Sequence, residues 1–106
     1  MEKKVRNQKT LKYLESLKKD RDFICFVQRL KYWRKECSYT QMQLSFECGF
    51  SKNKIQEVES LFTTITINDI YKIAKVLNLP AGIFFTDDKT IINQLIIEHN
   101  LIAKEK

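Results

Sequence analysis

The sequence is short of the residues that build turns. Among its 106 residues there are two glycines and one proline. Strand-and-turn architectures consume both types, so their scarcity points to an all-α chain. Metal-ligating residues are also few. There is one histidine, His99, and the three cysteines (Cys25, Cys37 and Cys48) show no CxxC pairing. A tetrahedral metal site has no basis in such a set, and no cofactor is expected. No apolar run approaches the roughly 20 residues that cross a bilayer. An odd number of cysteines without a signal peptide suits a reducing cytoplasm. Enzymes are poorly matched too. No Ser/His/Asp or Cys/His set is visible, and no glycine-rich loop could cradle a phosphate.

What is present is a globular composition, 43% apolar and 30% charged, with a formal net charge of +6. The length suits one ordinary domain with one modest core. The charge is uneven. Residues 1–21 carry eight Lys/Arg and three Asp/Glu, a net +5. Residues 22–85 are +2, and residues 86–106 are −1. The excess on a basic arm over 1–21 suggests an anionic partner, nucleic acid first. A Lys-rich arm also keeps a chain soluble, and charge alone does not separate the two readings. If Lys3, Lys4, Arg6 and Lys9 all touched phosphates, deleting residues 1–10 would make the salt dependence of binding shallower by about 3–4 units.

Apolar periodicity gives a succession of helices. Leu11, Leu14 and Leu17 mark a narrow amphipathic helix, and Asp20 and Asp22 mark a break with an N-cap. Phe23, Phe26, Val27 and Leu30 make the stripe of a helix over residues 23–36. Thr40 caps a short helix over 41–48 with Leu44 inward, and Gly49 stands where a helix closes in a left-handed conformation. Ser51 is expected to cap the next helix, running to Glu59 with Ile55 and Val58 inward. Thr66 or Asn68 caps a fifth helix carrying Ile70, Ile73, Ala74 and Leu77. After Pro80, residues 81–85 form one apolar turn. Asp87 and Asp88 then open a last helix whose Ile91, Ile92, Leu95, Ile96, Leu101 and Ile102 form a wide apolar face. Trp33, Tyr39 and Cys48 read as core residues, and His99 as a surface residue.

Residues 40–60, TQMQLSFECGFSKNKIQEVES, carry the functional signal. Two helices of about two turns joined by a tight turn at Gly49 can project the second into a major groove, about 12 Å wide. Small Ser45 lets the helices cross closely, and residues 51–54 are left polar and outward. The segment resembles the Cro/repressor-type, or Xre-type, helix-turn-helix family. The matching residues are Arg34, Thr40, Gln41, Leu44, Ser45, Gly49, Ser51, Ile55 and Glu59, continued by IYKIAKVLNLPAGIFF over residues 70–85. The resemblance spans about residues 23–85.

It implies a five-helix phage-repressor-like domain over residues 22–85, with an additional helix at each end. It implies that Lys52, Asn53 and Glu57 face base edges, while Gln41, Ser51 and Lys54 meet phosphates. It implies an ion pair between Arg34 and Glu59. The chemistry of the base contacts agrees: Lys donates to guanine O6 and N7, Asn pairs bidentately with adenine, and Glu accepts from cytosine N4. Glu57 reads equally well as a solvated charge. The sequence departs from the family where Ser38 replaces a frequent glycine. It departs again where Ser60, Leu61 and Phe62 replace a basic, glycine-containing loop. The expected function is transcriptional regulation by a homodimer on duplex DNA. Residues 86–106 are the candidate dimerisation element, with Ile91, Ile92, Leu95 and Ile96 as its face. The same stripe would serve equally as plain core or as a cover over the N-terminal helix. The rival from another class is an antitoxin or other protein-binding module, holding a protein partner with the last helix or with Leu61 and Phe62.

Overall fold

A computed structural model describes residues 8–105. Lys3, Lys4 and Arg6 of the basic arm lie outside the described residues, as do the side chains of Lys9 and Leu14. Six α-helices follow one another, and no strand occurs among the described residues. They are α1 (Gln8–Leu17), α2 (Arg21–Glu36), α3 (Gln41–Glu47), α4 (Lys54–Glu59), α5 (Ile67–Leu77) and α6 (Lys89–Glu105). A 3-10 helix, Ala81–Phe85, connects the last two.

α2, α3, α5 and α6 each start where a nearby side chain can take an orphan amide. Asp20 accepts from the Phe23 amide at 3.0 Å, which starts α2 two residues before its first apolar position. Thr40 and Gln43 form a reciprocal capping box on α3, each side chain bonding the other's backbone amide. Thr66, rather than Asn68, caps α5 through the Asp69 amide. Asp88 caps α6 through the amides of Thr90 and Ile91. Each cap of this kind stabilises its helix by about 1 kcal/mol.

The apolar stripes converge on one core between α2, α3, α4, α5 and the 3-10 helix. Leu30, Leu44, Ile55, Val58 and Ile83 are completely buried, and Phe84 and Ile73 nearly so. Each contributes about 1.5–3 kcal/mol by leaving water. Trp33, Tyr39, Ile92 and Leu95 pack against this core from its margin. Only Ile92 and Leu95 of the α6 stripe do so. Ile91, Ile97, Leu101 and Ile102 stay about half exposed, so α6 presents apolar residues to solvent as well as to the core. Arg29 of α2 fastens the base of α6 through a two-pronged contact with Asp87, at 2.9 and 3.1 Å. His99, half-buried, meets the Asn78 side chain at 3.2 Å.

α2, α3, α4 and α5 all end the same way. The chain turns through positive φ at Ser38, Gly49, Leu61 and Asn78. In each case the next amide reaches back five residues to a carbonyl: Tyr39 to Arg34, Phe50 to Ser45, Phe62 to Glu57 and Leu79 to Ala74. This is the Schellman closure, which glycine normally occupies. Here only one of the four positions is glycine.

Candidate nucleic-acid interface

α4 is the outward helix of the pair, and it has six residues. A helix so short has negligible stability in isolation, because the cost of its first turn is not recovered. Its existence therefore depends on what α2 and α3 do for it. Gly49, at φ 77°, sends the chain back from α3. Ile55 and Val58 anchor the inner face of α4 in the core.

The start of α4 differs from the expectation that Ser51 caps it. Residues 51–54 make a tight turn, in which the Lys54 amide donates to the Ser51 carbonyl at 3.1 Å, and the helix begins at Lys54. Asn53 occupies the N-cap position, but its side chain makes no capping bond. The capping acceptor comes from the neighbouring helix instead. Ser45, fully buried on α3, accepts the Ile55 amide with its hydroxyl at 3.0 Å. A local Ser51 cap is therefore unnecessary, and the 51–53 turn is held open with its side chains outward. Ser51, Lys52 and Asn53 are all exposed.

The other end of α4 is tied to α2. Arg34 donates from Nε to Glu59 at 2.7 Å and from its second terminal nitrogen at 3.0 Å. Its remaining terminal nitrogen donates to the Tyr39 carbonyl at 2.7 Å. Glu59 also accepts from the Gln41 amide group at 2.8 Å. Both charged side chains are almost wholly removed from water, 7% and 1% exposed. Arginine suits this position because its planar fork meets both carboxylate oxygens at once. One carboxylate thus joins α2, α3 and α4.

These contacts define the condition of every candidate contact residue. Gln41, half-buried at the first turn of α3, has one amide hydrogen committed to Glu59. Lys54 is half-buried, with its ammonium 3.5 Å from Asp69 and over the Phe50 ring at 5.9 Å. Lys72 of α5 approaches the same ring at 5.8 Å. Glu57 is half-buried, whereas Gln56 is exposed. Gln56 is a further exposed candidate beyond those expected from the sequence. It lies three residues after Asn53 and four after Lys52, the spacing that puts residues on one helical face. Lys52, Asn53 and Gln56 therefore form an exposed donor and acceptor edge on a rigidly held turn and helix. Lys54 and Lys72 converge on the Phe50 ring, one residue before the turn that carries Lys52 and Asn53.

The Helix-turn-helix family model matches residues 30–84, which hold α3, α4, α5 and nearly all of the shared core. No curated protein and no solved structure matches the chain.

Proposed function

Given that the chain belongs to the Helix-turn-helix family of the Xre/Cro type, a family of DNA-binding domains, we propose that it is a sequence-specific transcriptional regulator. In this reading α4 and the turn before it enter the major groove of an operator. The carrying observation is that the polar edge of α4 is outward and uncommitted while everything behind it is fixed. Lys52 and Asn53 read bases, joined by Gln56, whose amide has the same bidentate match to adenine as asparagine. Glu57 contributes a single acceptor. Ser51 and Lys54 meet phosphates, and Gln41 offers a phosphate its remaining amide hydrogen. Lys54 exchanges its contact with Asp69 for the backbone when DNA arrives. The protein acts without catalysis, in the cytoplasm.

The same reading includes a homodimer. The half-exposed apolar residues of α6 favour it, because patches of this kind on small domains mark association surfaces. Of the face expected from the sequence, Ile92 and Leu95 pack against the core, so the proposed face is Ile91 with Ile97, Leu101 and Ile102. Two-fold symmetry would set a palindromic site with half-sites about one helical turn apart.

Selection of bound sites from random duplex DNA tests the proposal. A palindromic consensus is expected. Asn53→Ala should cost about 1–3 kcal/mol on the best site and relax one position. Gln41→Ala should weaken all sequences about equally. Failure to enrich any duplex would overturn the reading. The exposed Ile97, Leu101 and Ile102 favour a second reading in that event, a protein-binding module such as an antitoxin, recognisable by a second chain that copurifies.

A further inference from the structure

A groove of about 580 Å³ lies on the side of α2 away from its buried stripe, where the base of α6 leans against it. Its walls are Cys25, Gln28, Arg29, Tyr32 and Trp33 from α2, Thr86 and Asp87 from the segment before α6, and Lys89, Ile92 and Asn93 from the start of α6. That volume is in the range of small-molecule sites. None of these residues belongs to the proposed DNA-reading edge.

The chemistry of the walls narrows the occupant. Tyr32 and Trp33 meet edge to face, with ring centres 5.0 Å apart and planes at 85°. A fixed pair of this kind offers both an edge and a face to a third ring. Ile92 and Cys25 add apolar surface, and Gln28 and Asn93 add side-chain amides. Two cations reach the groove, and they differ. Arg29 is already neutralised by Asp87. Lys89 is exposed and has no ionic partner among the described residues. A neutral ring would leave the lysine unused, and a cation would be repelled by it.

We propose that this groove binds a small aromatic carboxylate, its ring against Tyr32 and Trp33 and its carboxylate at Lys89. The occupant bridges the same two elements that Arg29 and Asp87 join. It therefore strengthens the seating of α6 on α2, and any association that α6 mediates becomes linked to its concentration.

Trp33 is the chain's single tryptophan, so its emission reports the groove directly. The full chain is titrated with 3-phenylpropionate, with 3-phenylpropanol as the uncharged probe and propionate as the ringless one. Saturable change in Trp33 emission is expected with 3-phenylpropionate in the millimolar range, as suits a ligand of that size. The alcohol on the native chain, and the acid on Lys89→Ala, should each bind about three- to fivefold more weakly, the worth of one exposed ion pair. Asn93→Trp fills the groove but adds a second fluorophore. Its binding is therefore read by ligand-observed NMR, which should show none, while circular dichroism verifies the fold. The proposal is overturned if 3-phenylpropionate gives no saturable response. It is equally overturned if Lys89→Ala leaves affinity unchanged, or if the folded Asn93→Trp variant still binds. These readouts involve no DNA, so they stand apart from the fate of the operator reading.

Discussion

Replacing Glu59 with alanine is expected to remove a large part of the stability of the domain. The carboxylate is 1% exposed and accepts three hydrogen bonds, two from Arg34 and one from Gln41. Without it the guanidinium remains buried with only the Tyr39 carbonyl to meet it. Breaking a buried pair on one side typically costs about 3–5 kcal/mol. The Gln41 bond adds up to about 1 kcal/mol. Total stabilities of such domains are about 5–15 kcal/mol. In urea, a slope of about 1–3 kcal/mol per molar turns a 4 kcal/mol loss into a midpoint roughly 1–4 M lower. The reverse single change, Arg34→Met, should cost a similar amount, since it strands the carboxylate. With Glu59→Leu as the second single variant of the cycle, the double variant Arg34→Met with Glu59→Leu removes both charges and keeps the volume. It should recover to within about 1–2 kcal/mol of the native chain, giving a coupling of about 2 kcal/mol or more. A Glu59→Ala cost below about 1 kcal/mol, the value of an exposed pair, would refute the argument. So would a double-mutant cycle with no coupling. If Gln41 meets a phosphate as proposed, the recovered double variant should still bind DNA less tightly, because Gln41 has lost the acceptor that orients it.

Ser45→Ala should cost about 1–3 kcal/mol in the same denaturation assay, since it leaves the Ile55 amide buried without an acceptor. Ser38→Gly should stabilise by up to about 1 kcal/mol, because Ser38 holds φ 63° against a side-chain penalty that glycine lacks. Leu61→Gly should gain less or lose, because Leu61 has the same φ but also packs on the core. Arg29 holds the Asp87 carboxyl below its ordinary value of 3.8. A depressed folded pKa means that the contribution of this pair is present above the ordinary carboxylate range and lost as pH falls through the lowered value. Asp87→Asn should flatten that acid limb of the stability curve, measured by denaturation between neutral pH and pH 3. Burial pushes the Cys48 thiol up to about 11. At pH 8 its thiolate should be roughly one part in a thousand, so thiol reagents should label Cys48 only when the domain unfolds.

Helix positions were legible because their signals are local. The stripe of Phe26, Val27 and Leu30, the capping residues Thr40 and Thr66, and Gly49 all act within a few residues of themselves. The left-handed closures at Ser38 and Leu61 were not legible, because local preference there points to glycine. The conformation is imposed by the reach of Tyr39 and Phe62 back to the preceding helices. The start of α4 departs from local preference for a related reason. Ser51 has the right chemistry for a cap, but the acceptor that matters sits on Ser45, ten residues from the amide it satisfies. The α6 stripe was seen as one face. Only contact with the 3-10 helix sorts it into Ile92 and Leu95 inward and Ile91, Leu101 and Ile102 outward. Of the three side chains exposed along the outward edge, two were legible in the sequence. Lys52 and Asn53 follow from position, whereas Gln56 needed the exposed face of α4 to be traced through a full turn.

The borrowed cap on α4 also bears on how such a protein can change over generations. The hydroxyl that starts the helix belongs to Ser45 and the carboxylate that closes it is held by Arg34 and Gln41. Neither task falls on residues 51–53 or 56. Those four positions are therefore free to vary without disturbing the support beneath them. If these residues read bases as proposed, drift there would move the preferred site in single steps, each variant remaining folded.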